Sequence, residues 1–186
     1  MTEQAFPSRE ALFQWLEAHH QSETELWVKI YKVGSGVPSV TWQDCVVAAL
    51  AWGWIDSQRK PLDEESYLQR LTPRRPRSPW SQKNRAHVDR LIAEGLMSPA
   101  GLAHVEAAKA DGRWEAAYAG QAEMEIPADF LAALESRPKA KAFFDGLSRS
   151  NHFAVYYRLT SAKKPETRAR RMEKILGQLE RGEKLV

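Results

Sequence analysis

Two short motifs carry most of the residues in this chain that are suited to binding chemistry. The first, WGWIDSQRK, begins at Trp52, and the second, PRRPRSPWSQKN, runs from Pro73 to Asn84. Between Arg70 and Arg90 there are seven Lys or Arg residues and one acid, in a chain whose net charge is only +3. A guanidinium binds phosphate or carboxylate oxygens through two hydrogen bonds and also stacks on aromatic rings. The motifs therefore predict a site for an anionic or flat ligand, without specifying a reaction.

The arginine-rich motif predicts an anion site at the start of a helix. If Ser81 begins a helix, the free N–H groups of its first turn would lie beside the arginines of the preceding loop. The alternative is that Arg74 or Arg75 pairs with an acid such as Asp56 and holds the proline-rich loop against the protein. The candidate ligand-binding residues of the two motifs are Trp52, Trp54, Asp56, Arg74, Arg75, Arg77, Trp80, Ser81 and Asn84.

The first motif offers two indoles and one carboxylate. Trp52 and Trp54 flank Gly53, so we expect their side chains to point in different directions. One indole is expected in the core, and the other lies either in the core as well or in the wall of a pocket. Asp56 is expected to share a strand face with Trp54. A carboxylate beside an indole can have a raised pKa and act as an acid or base, but pairing with an arginine is the alternative.

A second basic segment lies near the C-terminus. Residues 163–174 include six Lys or Arg residues and two acids, and Arg168 and Arg171 are one helical turn apart. This secondary basic surface is interpreted as a solvated helix face, with docking onto the acidic segment 91–135 or onto nucleic acid as alternatives.

Several classes of function lack their usual sequence signals. The histidines do not have metal-ligand spacing, and no glycine-rich phosphate loop, nucleophilic-serine motif or dinucleotide fingerprint is present, so we predict neither metal nor cofactor. Cys45, the single cysteine, lies in an apolar helical pattern and is interpreted as a core residue of a cytoplasmic protein. The longest apolar stretch has eleven residues, which is shorter than the roughly 20 residues that a membrane span requires, so no membrane span is predicted.

The periodicity predicts an α+β fold, in which a small antiparallel sheet packs with helices and is followed by an all-helical C-terminal unit. Strands are predicted at 25–33, 54–60 and 67–72, the last two as a hairpin, and helices are predicted to start near Ser8, Thr41, Ser81 and Ser98. After Pro127 the pattern is helical, apart from a weak strand signal at 153–159. The predicted domains are 1–114 and 127–186, joined by a linker at 115–126.

The motifs WGWIDSQRK, LTPRRPRSPWSQKN, GLMSPAG and KKPETRARR resemble those of the YdeI/OmpD-associated family, also called bacteriocin-protection proteins. The resemblance implies a cytoplasmic bacterial protein with a YjbR/CyaY-like α+β N-terminal part and a helical tail. It directs attention to Trp52–Asp56, then to Pro73, Arg74, Arg75, Ser78, Trp80, Ser81 and Asn84, and finally to Thr167, Arg168 and Arg171.

Three functional hypotheses follow. The leading one is a non-enzymatic binder of an anionic small molecule or acidic protein, with a role in stress or bacteriocin protection that comes from the resemblance. The second is a nucleic-acid-binding protein that uses both basic segments. The third is a hydrolase or transferase that uses Asp56. The oligomeric state is left open by the sequence.

Overall fold

The computed structural model describes residues 3–186, which form two compact units. The first unit ends at Ala117 and the second runs from Tyr118 to Val186. Within the described residues there are a four-stranded mixed sheet and eight α-helices, so the predicted α+β class is confirmed. The predicted domains, 1–114 and 127–186 with a linker at 115–126, stay predictions.

The sheet of the first unit has the strand order β1-β2-β4-β3. Its strands are β1 (Glu3–Ala5), β2 (Leu26–Tyr31), β3 (Trp54–Pro61) and β4 (Ser66–Pro73). β3 and β4 form the predicted hairpin, with Asp56 opposite Leu71 and an irregularity between Asp56 and Arg59. β4 also pairs antiparallel with β2, whereas the short β1, which the sequence did not predict, pairs parallel to β2.

Four helices of the first unit begin at polar caps. They are α1 (Arg9–His19), α2 (Trp42–Ala51), α3 (Gln82–Ala93) and α4 (Pro99–Ala110). Ser8, Thr41, Ser81 and Ser98 each accept a hydrogen bond from a first-turn N–H group, which satisfies a donor that the helix itself cannot pair. Thr41 and Asp44 form the capping box predicted from their spacing.

α2 lies between two apolar clusters, one on each side. The first cluster joins α2 to α1 and the sheet through Leu12, Leu16, Leu26, Val28, Cys45 and Trp54. The second joins α2 to α3 and α4 through Val46, Leu50, Trp80, Val88, Leu91 and Val105. Burial raises the pKa of the Cys45 thiol to about 12, which keeps it protonated and unreactive.

The second unit packs four helices around one cluster. They are α5 (Ala128–Glu135), α6 (Pro138–Asp145), α7 (Arg149–Thr160) and α8 (Pro165–Glu180). The weak strand predicted at 153–159 is wrong, because these residues belong to α7. Val155, Tyr156 and Leu159 are buried at helical spacing, and this packing outweighs the β preference of valine and tyrosine.

Within residues 3–186, no helix is long and apolar enough to cross a membrane.

Candidate functional site

The corner between α2 and β3 is built by the WGW sequence. Gly53 has φ +71°, and a Cβ atom there would come within 2.8 Å of His104 Cδ2, so glycine is needed for both conformation and space. Trp54 is 1% exposed and its indole Nε1 donates a hydrogen bond to the His20 carbonyl at 3.2 Å. Trp52 is half-buried and packs against both apolar clusters. Both indoles therefore stabilise the corner.

The Asp56 carboxylate accepts a hydrogen bond from an indole. Its Oδ2 atom lies 3.1 Å from Nε1 of Trp42, an exposed residue at the start of α2. Among the described residues, no ion pair joins Asp56 to an arginine. Asp56 is thus partly buried and lies beside Trp42.

Arg74 connects the two motifs from inside the protein. The side chain is 3% exposed and its guanidinium carbon lies 3.7 Å from the centroid of the Trp80 ring. Its Nη2 donates to the Pro79 carbonyl at 2.6 Å, while its backbone N–H donates to the Gly53 carbonyl at 2.9 Å. Arg74 therefore stabilises the loop by stacking and hydrogen bonding. Trp80 and Trp54 belong to different clusters, so they do not face each other across one cavity.

The rest of the arginine loop is on the surface. Arg75 and Arg77 are exposed, and Ser81 caps α3 by accepting the Asn84 N–H at 3.1 Å. Lys83, in the first turn of α3, is also exposed. We call these three exposed basic residues, Arg75, Arg77 and Lys83, the loop surface.

Two residues that the sequence did not single out lie close to Arg74. Arg113 donates to the Ser78 carbonyl at 2.9 Å and pairs with Asp111. Burial, together with the charges of Arg74 and Arg113, lowers the pKa of His104. No local pattern marks these residues, since their positions depend on how α4 packs.

Arg168 and Arg171, the two predicted residues of the C-terminal basic segment, have different environments. Arg168 donates to both carboxylate oxygens of Asp129, with a distance of 2.8 Å from Nη2 to Oδ1, and so ties α8 to α5. These hydrogen bonds lower the pKa of Asp129. Arg171 instead points towards α7, where its Nη1 donates to the Arg158 carbonyl at 2.8 Å and to Ser161 Oγ at 3.1 Å.

Arg171 lines a cavity of about 440 Å³ between α7 and α8. Two further cations, Arg158 and Lys174, line the same cavity, together with Tyr157, Ser161, Ile175 and Gln178. No carboxylate is found among these described lining residues, and none of the three cations forms an ion pair with a described residue. We call this cavity the α7–α8 pocket. All of its charged lining residues are positive, and a cleft lined by charges of one sign focuses the electrostatic potential, so the pocket attracts anions.

The α7–α8 pocket also contains neutral hydrogen-bonding groups. Tyr157 and Ser161 carry hydroxyls and Gln178 carries an amide, and each of these groups can donate to an anionic oxygen. Arg158 is held from behind, since its Nη2 donates to the Leu185 carbonyl at 3.1 Å. The sequence missed Arg158 because the segment around it was predicted as a strand.

In the described part of the chain, no group of three or more His, Cys, Asp or Glu residues is arranged to hold a metal ion.

Comparison with known families divides the chain into two matched segments. Residues 4–104, more than half of the chain, match a family described as a domain of unknown function (DUF8412). The chain belongs to the DUF8412 family. Residues 123–182 match the family described as bacteriocin-protection, YdeI or OmpD-associated, which supports that resemblance for the C-terminal part. The α7–α8 pocket lies inside this second segment. No curated protein and no solved structure matches the chain.

Proposed function

We propose that this DUF8412-family protein binds a small anion in the α7–α8 pocket, without catalysing a reaction on it. The match to the bacteriocin-protection family over residues 123–182 is consistent with a protection-related role for this binding. An acidic side chain or terminus of a partner protein would present the same chemistry to the pocket.

One observation carries the proposal: three cations face one cavity with no carboxylate among its described lining residues. Cations held close together repel each other unless an anion lies between them. In the same unit, Arg137 pairs with Glu173 and Arg168 with Asp129, whereas Lys139 and Arg170 form no ion pair with a described residue. Arg158, Arg171 and Lys174 differ from the other unpaired cations because all three line one cavity, where a single bound anion can pair with them.

The dimensions of the α7–α8 pocket also suit a small ligand. A cavity of about 440 Å³ lies within the usual range for small-molecule sites, which is roughly 300–1,000 Å³. Arg171 can present its planar guanidinium to two oxygens at once, while Lys174 contributes a mobile point charge. Phosphate, or a small polycarboxylate such as citrate, has enough oxygens to bind the Arg171 guanidinium and the Lys174 ammonium group at the same time.

Calorimetric titration with phosphate and citrate tests the proposal. Lys174→Gln removes an exposed cation and should weaken binding by about tenfold, because one charge-assisted contact contributes about 1.5 kcal/mol or more. Arg170→Gln is the matched control, since Arg170 is exposed on the same helix but does not line the pocket. Equal affinities in the two variants would count against the pocket as the binding site.

Nucleic-acid binding is a second candidate because Arg75, Arg77 and Lys83, which follow one another closely in sequence, are all exposed. For a single strand, the logarithm of the affinity falls with the logarithm of the salt concentration by roughly 0.7 per phosphate contacted. Replacing Arg75 and Arg77 with alanine should therefore flatten that slope by about 1.4. If oligonucleotides bind with an unchanged slope, the loop surface is not the contact.

Three further parts of the functional hypothesis stay proposals. A cytoplasmic location is proposed from the single reduced cysteine, and a YjbR/CyaY-like N-terminal unit is proposed from the resemblance alone. A hydrolase or transferase reaction at Asp56 is the third, and Asp56→Asn would abolish any such activity.

A further inference from the structure

A polar cavity of about 180 Å³ lies between α2, α3 and the first turn of α1. Two guanidinium groups, of Arg9 and Arg90, and two carboxylates, of Asp44 and Glu94, line it together with the imidazole of His87. All five residues belong to the first unit, so this cavity is distinct from the α7–α8 pocket.

The oppositely charged side chains that line this cavity form no ion pairs with one another in the described part of the protein. Arg90 and Glu94 are four residues apart on α3, yet no ion pair joins them in the described part of the protein. Arg9 approaches an acid only at 4.0 Å, and that acid is its exposed neighbour Glu10. Asp44 uses Oδ2 for the capping box, where the Thr41 N–H donates to it at 2.9 Å. The cavity thus retains both cationic donors and anionic acceptors that can bind a ligand.

His87 provides an independent sign that a ligand belongs here. The residue is 7% exposed, and its Nε2 atom has no hydrogen-bond partner among residues 3–186. A buried polar atom without a partner destabilises the folded state. Burial lowers the pKa of His87, and the charges of Lys83 and Arg90 lower it further. The ring is therefore neutral near pH 7 and can both donate and accept a hydrogen bond.

An apolar cavity of about 260 Å³ adjoins the polar one, because Arg9 lines both. Phe13 of α1 and Leu96, which follows α3, supply its apolar lining, and Glu10 and Gln14 also line it. Leu96 is 40% exposed, so part of its side chain is accessible to a bound ligand. A ligand that fills both cavities has a small charged head and an apolar tail.

We propose that the two adjoining cavities bind a free α-amino acid with an apolar side chain. Its carboxylate pairs with Arg9 and Arg90, its ammonium group pairs with Glu94 and the free oxygen of Asp44, and its side chain packs on Phe13 and Leu96. Together the two cavities present two guanidinium groups and three carboxylates, those of Asp44, Glu94 and Glu10. A zwitterion can pair with groups of both charges, whereas a simple anion would leave the carboxylates without a partner. This site is separate from the anion site proposed above and does not depend on it.

Calorimetric titration with L-leucine tests the assignment, with three related compounds as controls. Leucinamide lacks the carboxylate, N-acetyl-leucine lacks the ammonium group, and glycine lacks the apolar side chain. Each should bind at least about tenfold more weakly than leucine, because each loses one set of contacts. Equal binding of leucine and either blocked form, or the absence of saturable heat with leucine, L-methionine and L-phenylalanine, would overturn the proposal.

Two variants place the binding in these cavities. Arg90→Gln should weaken leucine binding by about tenfold or more, and Leu96→Ser should weaken leucine binding but leave glycine binding unchanged. Both residues are exposed, so the fold should persist, and circular dichroism checks this. Arg75→Gln is the matched control on the loop surface and should bind leucine as the parent protein does. Unchanged leucine affinity in Arg90→Gln and Leu96→Ser would show that any binding occurs elsewhere.

Discussion

Arg74 and Arg75 are neighbours in sequence, yet the structure gives them opposite environments. Arg74 is 3% exposed, stacks on Trp80 and donates to the Pro79 carbonyl, whereas Arg75 is exposed. We predict that Arg74→Ala destabilises the first unit and that Arg75→Ala does not. The pair is a matched test, because both changes remove one guanidinium from the same loop.

The magnitude for Arg74 follows from its contacts. A hydrogen bond from a charged donor contributes about 1.5–3 kcal/mol, and a desolvated cation–π contact contributes about 2 kcal/mol. These contributions are not additive, and removing a buried charge also recovers part of its desolvation cost. We therefore expect Arg74→Ala to lower the free energy of unfolding by about 2–4 kcal/mol, and Arg75→Ala to change it by less than about 0.5 kcal/mol.

Urea unfolding followed by tryptophan fluorescence is the appropriate assay. All seven tryptophans of the chain lie in the first unit, so the signal reports on that unit. Arg74→Lys should also lose stability, because an ammonium group cannot stack on Trp80 as a planar guanidinium does. If Arg74→Ala is as stable as Arg75→Ala, the interpretation of Arg74 as an internal support is wrong.

Three other predictions concern stability and reactivity. Leu176→Ala should lower the free energy of unfolding by about 2–5 kcal/mol because Leu176 is fully buried, whereas Arg170→Ala on the exposed face of α8 should leave it almost unchanged. Thermal unfolding followed by circular dichroism distinguishes the two variants. Cys45, whose pKa is about 12, should react with a thiol reagent only after denaturation, and rapid reaction of the native protein would contradict its burial. The pKa values of His87 and His104 are lowered in the folded protein. As the pH falls below about 6.5, the unfolded chain therefore binds more protons than the folded one, so the free energy of unfolding should be highest above that pH and should decrease on acidification. Replacing both histidines with glutamine should flatten this pH dependence in urea titrations.

Much of the fold could be predicted because its signals are local. Thr41 and Asp44 lie three residues apart, which is the spacing of a capping box, and Gly53 marks the end of α2 with a positive φ. The short strand β1 could not be predicted, since its three residues are exposed and are defined only by pairing with the distant β2. The segment 153–159 was misassigned because its valine and tyrosines favour strands, while the burial that fixes α7 comes from other helices.

The candidate sites were less accessible to sequence reasoning. Composition drew attention to Arg74 and to Arg171, but it could not distinguish a buried, loop-stabilising arginine from one that lines a cavity. That distinction depends on Trp80 stacking over Arg74 and on α7 bringing Arg158 opposite Arg171. The cavities around Arg90 and Leu96 combine residues from three helices, and no spacing along the chain connects them.

The most direct test of anion binding in the α7–α8 pocket is a phosphate titration of ¹⁵N-labelled protein that follows the arginine Nε–Hε signals by NMR. Saturable shifts are expected for Arg158 and Arg171, which line the pocket, and no comparable shifts are expected for Arg75 and Arg77 on the loop surface. Saturable shifts at Arg75 and Arg77 alone, or shifts that never saturate at any arginine, would contradict the claim that this pocket is the anion site.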